Sequence, residues 1–166
     1  MDFLYNKIIE TITENQSRFI EKGLTPPATI DLYAGQPIAP EMYSFSTPAL
    51  LMEYNIDWES GNAYVKRGKF AMYIHVLVDP LPGMDNFGTQ PTAGQQKIEY
   101  YDLIAHLLEG LSSESTGTIS LVKEVSHTVD FHNYQILEFT GMIYKNERHS
   151  LSKYPVPPQI TLNEIK

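Results

Sequence analysis

Residues 48–58 read Pro48-Ala49-Leu50-Leu51-Met52-Glu53-Tyr54-Asn55-Ile56-Asp57-Trp58, and their alternation decides the fold class. Leu50, Met52, Tyr54, Ile56 and Trp58 fall on one side of an extended chain, while Glu53, Asn55 and Asp57 fall on the other. A period of two is the signature of a strand with one face buried. Downstream, Glu59-Ser60-Gly61-Asn62 has turn composition, and in residues 63–78 Phe70, Met72, Ile74, Val76 and Val78 keep the same step. A long β-hairpin is therefore predicted, with Gly68 marking a bend or bulge in its returning strand. Tyr73 and Leu77 make the second face of that strand apolar as well, so its far half is expected to be covered on both sides, with His75 half-buried between them.

Upstream, Leu4, Ile8 and Ile12 recur every four residues beside Tyr5 and Ile9, which predicts an amphipathic helix over residues 2–22 with Asp2 as its N-cap. Gly23 and then Pro26-Pro27 end it. Residues 29–33 read as a short strand, and Gly35, Pro37 and Pro40 make residues 34–46 irregular wrapping chain.

Downstream of the hairpin, residues 79–96 carry Pro80, Pro82, Gly83, Gly88, Pro91 and Gly94 without any period and read as a long connection of the kind that carries function. Ile98, Tyr101, Ile104, Ala105, Leu108 and Leu111 then predict a second helix over residues 95–111, its stripe laid on the sheet. Ile119, Leu121, Val125, Val129 and Phe131 alternate with Ser120, Glu124 and Asp130 before residues 134–144, which predicts a second long hairpin turning at His132-Asn133. The expected architecture is one α+β domain over residues 1–146, an antiparallel or mixed sheet of four to five strands with both helices on one face. Residues 147–166, with Pro155, Pro157 and Pro158, are expected to extend as an arm.

Composition narrows the function classes. There is no cysteine, which removes disulfides, thiol nucleophiles and thiolate metal sites together. A formal charge of -8 repels phosphate on average, and Lys66, Arg67 and Lys69 form the one tight basic cluster, at a hairpin tip, so sequence-specific nucleic-acid binding is not expected. No run of apolar residues reaches the length of a membrane span, and Asp2 opens a segment unlike a secretory signal.

The five histidines, at 75, 106, 127, 132 and 149, lie on separate predicted elements without metal-ligand spacing, so no metal is expected. Glu53, Asp57 and Glu59 read as the solvated face of a strand rather than an acid/base pair. The glycines at 83, 88 and 94 lack the Gly-Lys-Ser/Thr ending of a phosphate loop, and no serine sits in a nucleophile elbow. Neither catalytic residues nor a cofactor site are expected. With 11 tyrosines, 7 phenylalanines and one tryptophan, the chain is rich in the large, stiff side chains that suit protein contacts. Tyr64, Arg67, Pro82, Met84, Phe87 and Tyr154 are the candidate contact residues.

The order of elements resembles the tail-terminator and head-to-tail completion proteins of long-tailed DNA phages, over about residues 1–145. The likeness rests on the N-terminal helix, the Pro48-Ala49-apolar strand entering a hairpin, the apolar strand over residues 71–78, the helix from Ile98 and the final hairpin. The resemblance implies a structural ring subunit of a virion, often hexameric, assembled in the bacterial cytoplasm and touching a tail tube or connector. It also implies a lumen through which DNA passes, with acidic walls keeping the duplex from sticking. Residues 34–46 and the proline-rich arm exceed what the compact core of that group needs, and either is an arm able to clasp a neighbour. Two other readings stand beside it: a monomeric or dimeric protein-binding module whose residues 154–158 dock in a groove, and a ligand-binding protein or enzyme with a pocket between helix and sheet.

Overall fold

The computed structural model describes residues 1–39, 42–62, 65–78, 91–129 and 132–146. The predicted α+β class holds. In chain order the elements are α1 (Asp2–Glu14), α2 (Gln16–Glu21), β1 (Thr29–Leu32), β2 (Ala49–Asn62), β3 (Val65–Leu77), α3 (Pro91–Leu108), β4 (Ser120–Val129) and β5 (His132–Asn146). The strands form one mixed sheet ordered β1-β2-β3-β5-β4. β1 lies parallel to β2, and every other pairing is antiparallel. After β3 the chain passes through α3 to the far edge, lays down β4, and returns as β5 against β3.

The helices cover one face. Leu4, Ile8 and Ile12 of α1, Phe19 of α2, and Tyr100, Leu103, Ile104, Leu107 and Leu108 of α3 bury into a single cluster. Their partners on the sheet are Leu50, Met52, Phe70, Met72, Ile74, Val76, Leu137, Phe139 and Ile143. The single helix expected over residues 2–22 is instead two, separated at Asn15 (φ -104°, ψ 16°), whose Nδ2 donates to the Thr11 carbonyl at 2.8 Å. That break swings Phe19 into the core, where its ring meets Tyr100 at 5.4 Å. Met1 rather than Asp2 is the N-cap residue, and Asp2 sits in the first turn, where its charge suits the helix dipole. α2 ends as foreseen at Gly23 (φ 70°): Leu24 N–H donates to the Phe19 carbonyl and Gly23 N–H to that of Ile20, while Leu24 packs back onto the core, a complete Schellman motif.

α3 begins at Pro91, four residues before the expected start, because proline is well tolerated at the first helical position, whose N–H has no intrahelical partner. Its buried surface is wider than one stripe. Tyr100, Leu103 and Leu107 are buried too, since α1 and α2 pack beside α3, and Ile98 is left 61% exposed.

Both predicted hairpins are present, with different ends. β2 runs unbroken through the expected Glu59–Asn62 turn, and its pairing with β3 shifts register between Glu59 and Asn62. Likewise His132 and Asn133 are paired strand residues, opposite Val129 and Thr128. Gly68 is not a bulge: it pairs regularly with Trp58 and Ile143. A Cβ there would lie 3.0 Å from both the Ile56 and Trp58 side chains, so glycine suits the close approach of these side chains to the backbone. The bulge lies in β4 instead, between Leu121 and Lys123. It inserts Val122, 54% exposed, and puts Leu121 and Val125 on opposite faces, which breaks the alternation read from the sequence. Glu109 at the end of α3 accepts from the Leu121 N–H at 2.6 Å and holds that bulge.

Among the described residues the second face is covered at one end only. Residues 33–39 and 42–46 wrap over it as expected, with Tyr33 and Phe45 packing on Ala49, Leu51, Leu77 and Tyr134. Gln36 anchors this stretch, donating from Nε2 to the Leu32 carbonyl and accepting the Ala34 N–H.

Where β3 crosses β5, the Phe70 ring lies over Gly141, so close that an added Cβ would come within 2.9 Å of it. Gly141→Val is therefore expected to destabilise the domain by about 1–3 kcal/mol through overpacking. Gly117→Ala, whose Cβ would meet nothing closer than 3.9 Å, should stay within about 0.5 kcal/mol. Urea unfolding midpoints of the two variants check the difference.

Candidate interaction surface

β1 is four residues long and β2 fourteen. The two pair only from Ala49 to Met52, and the last bond on that side is Tyr33 N–H to the Met52 carbonyl at 2.8 Å. From Glu53 onward, no strand among the described residues lies beside β2 on the side away from β3. Among the described residues, its backbone N–H and C=O groups on that side form an open edge. The side chains follow the same division. On the helix face, Tyr54 and Trp58 project past the helices and are 42% and 44% exposed, although their alternation with Leu50 and Met52 predicted a buried row. The reason is tertiary, since the row is continuous but the core beneath the helices takes Leu50 and Met52 fully and Ile56 in part, and leaves Tyr54 and Trp58 exposed.

On the opposite face the same strands carry a charged and polar ladder. Glu59 stands opposite Arg67, and Asp57 opposite Lys69. Arg67 is the one predicted contact residue within the described side chains: it is exposed, pairs across the sheet with Tyr144 of β5, and donates from Nε to Glu59 Oε2 at 2.7 Å. An exposed ion pair of this kind adds at most about 1 kcal/mol. Between this ladder and the wrapped end, the small residues Asn55, Ala71 and Thr140 leave a shallow trough of about 480 Å³. The other candidates, Tyr64, Pro82, Met84, Phe87 and Tyr154, lie outside the described residues.

A second group, which the sequence reading did not assemble, sits under the wrapping segment. His75 was expected to be half-buried and is 5% exposed. Tyr33 stacks flat on its imidazole at 4.2 Å and 9°, Tyr134 leans on it at 5.6 Å, and His127 meets Tyr134 edge-on at 5.0 Å. Glu53 Oε2 lies 3.5 Å from Nε2, at the outer limit of hydrogen bonding, and neither ring nitrogen closes a well-formed hydrogen bond among the described residues. Burial lowers the His75 pKa below its ordinary 6.5; the Glu53 carboxylate opposes this and the charge of His127 adds to it. The Tyr134 hydroxyl is pushed up to about 12, by burial first and then by Tyr33 and Glu53. At neutral pH the group is thus a neutral imidazole between neutral phenols. Any ligand approaching that imidazole would have to displace the Tyr33 ring, and the arrangement acts as a clasp fastening residues 33–46 to the sheet. No three histidine or acidic side chains among the described residues are grouped as metal ligands would be. No helix of the described residues is long and apolar enough to cross a membrane.

Because the folded pKa of His75 lies below its unfolded value, the unfolded chain binds the proton more readily, and stability rises with pH across that interval. The contribution is complete above pH 6.5 and is lost as pH falls through the lowered pKa. His75→Phe keeps the stack on Tyr33 while removing both unsatisfied nitrogens. In denaturant titrations between pH 7.5 and pH 5, the native chain is expected to lose stability on acidification more steeply than the variant.

Comparison of the sequence with protein-family models and with curated proteins returns no match.

Proposed function

We propose that this chain is a structural subunit that works by associating with copies of itself, forming a ring of the kind that terminates a phage tail or joins tail to head. The observation that carries this reading is the open part of β2. An exposed strand edge with aromatic side chains beside it is a liability in a monomer, which ordinarily covers or shortens such edges. Self-association turns it into a contact. The aromatic residues Tyr54, Trp58 and Tyr144, exposed on the outer half of the sheet, are of the type enriched at protein interfaces. The charge of -8 suits a ring whose lumen must pass DNA without holding it. In this reading the protein resides in a virion, touches a tail tube or connector, and needs neither cofactor nor catalytic group.

The test is the molar mass in solution, by light scattering coupled to size exclusion over a concentration series, with negative-stain images of the main peak. The expected result is a ring near 113 kDa, six times the chain mass of 18.9 kDa. A strict monomer at every concentration, also in the presence of candidate tail-tube and connector proteins, would overturn the reading.

A further inference from the structure

We propose that the open edge of β2 pairs with β4 of a second copy, so that residues 53–59 of one subunit and 123–129 of the next form an antiparallel ladder. The inference rests on the reading that copies associate, and it names the contact.

The sheet has two margins. β4 lies along one, and β2 lies along the other once the four residues of β1 have ended. Among the described residues no strand lies outside either. Each margin offers a regular stretch with defined ends. On β2 it opens at Glu53, where β1 stops, and closes at Glu59, after which the register against β3 shifts. On β4 it opens at Lys123, just past the register shift that follows Leu121, and runs to Val129, the last residue of the strand. Leu121 itself is taken, because its N–H donates to Glu109. The two stretches are equal in length.

Direction and facing agree as well. β2, β3, β5 and β4 are successively antiparallel, so β4 runs opposite to β2. A second copy set beside the first in the same orientation therefore presents β4 antiparallel to β2. The Met52 carbonyl points outward to the Tyr33 N–H, so Tyr54, Ile56 and Trp58, in step with Met52, also aim their backbone groups outward. Glu124 and Ser126 stand opposite Leu137 and Gln135, on the same helix-covered face. In a strand of opposite direction at the opposite margin, that face again goes with outward backbone groups. The two edges mesh with both sets of helices on one side of a continuous sheet.

Charge selects the partner. On the face away from the helices β2 carries Glu53, Asp57 and Glu59, and β4 carries Lys123, Val125 and His127. With Glu59 opposite Lys123, the ammonium stands across from one carboxylate and diagonal to that of Asp57. His127 then stands across from Asn55, with Glu53 and Asp57 on its diagonals, within the reach of cross-strand pairs. Pairing β2 with itself about Ile56 would instead set Glu53 against Glu59, like charges directly opposed. The strand ends select the register. Sliding β4 two residues one way runs Thr128 against Met52, whose carbonyl is bonded to Tyr33, and two residues the other way carries Lys123 past Glu59 into the shifted part of β2. A slide of one residue sets outward-pointing groups against inward-pointing ones.

The same copy cannot supply this strand. β3 and β5 separate β2 from β4 by three strand spacings, about 14 Å, and the two margins face in opposite directions. The contact joins one margin to the other margin of a second copy. It is therefore head-to-tail, and it generates a ring where the rotation between copies closes.

The experiment uses the full-length chain, which has no cysteine of its own. Asp57 and Val125 fall directly opposite in the proposed register, at a close pair of the ladder with Cα atoms about 4.5 Å apart. That is within disulfide range, whereas the about 14 Å between them in one copy is not. The double variant Asp57→Cys/Val125→Cys, each single variant and an equimolar mixture of the singles are oxidised with glutathione disulfide and run on non-reducing denaturing gels. Light scattering and circular dichroism of the reduced proteins check association and fold. The expected result is a covalent ladder from the double variant, dimers alone from the mixture, and monomer from either single. As an independent readout, Lys123→Glu is expected to associate about threefold or more weakly than the native chain. Reduced variants that associate yet do not cross-link, or a Lys123→Glu chain that associates at native strength, would overturn the inference while leaving the ring standing. Cross-linking of Asp57→Cys alone would overturn it in favour of two β2 edges meeting. A native chain that stays monomeric would remove both readings.

Discussion

The structure depends on one mismatch of extent: strands of 13 to 15 residues are served by helices that cover only part of one face. Everything apolar beneath the helices is buried to within a few per cent, from Leu50 and Met52 across Ile74 and Val76 to Leu137 and Phe139. Beyond that patch, the same strands must satisfy their surfaces differently. β5 does so through the turn at Ser113–Thr116, where Tyr144 N–H reaches the Ser115 carbonyl and Gly117 N–H the Met142 carbonyl. β2 has no equivalent among the described residues. One edge is capped by local chain, and the other remains as a template.

Two devices keep this long sheet in register. Gly68 and Gly141 remove side chains where Trp58, Ile56 and Phe70 must pass over the backbone, so aromatic and branched groups pack across strands without displacing them. The bulge at Val122 does the opposite, adding a residue so that β4 presents Leu121 to the helices and Val125 to the other face. A strand without that insertion would have to choose one face for both. The Tyr33–His75–Tyr134 stack then fastens the wrapping segment at the end where the second face has to be apolar.

The stack carries a cost in polar satisfaction that a purely apolar cluster would not. A buried imidazole without strong partners stays neutral, and Tyr33 lies flat upon it. Such a group favours a fixed path for the chain that leaves β1 at Tyr33, which in turn sets where β1 ends and where the open edge of β2 begins. Burial at one end of the sheet and exposure at the other are thus connected through the same short strand.

By itself, the sequence determined the class of each element. Period-two alternation from Leu50 and from Phe70, the four-residue spacing of Leu4, Ile8 and Ile12, and glycine at position 23 are local statements about backbone geometry, and they were legible because each element's signal lies within its own residues. The exchange of Leu121 and Val125 between faces, the break at Asn15 and the true ends of both hairpins were not legible, since a bulge or a one-residue kink leaves composition unchanged. The candidate surface was less legible still. Tyr54 and Trp58 carry the same pattern as Leu50 and Met52, and only the reach of the helices separates exposed from buried. Tyr33, His75 and Tyr134 lie about a hundred residues apart at their extremes, and only the parallel placement of β1 and the return of β5 bring them to one ring stack. Local periodicity specifies which face a side chain takes, and tertiary packing decides whether anything covers that face.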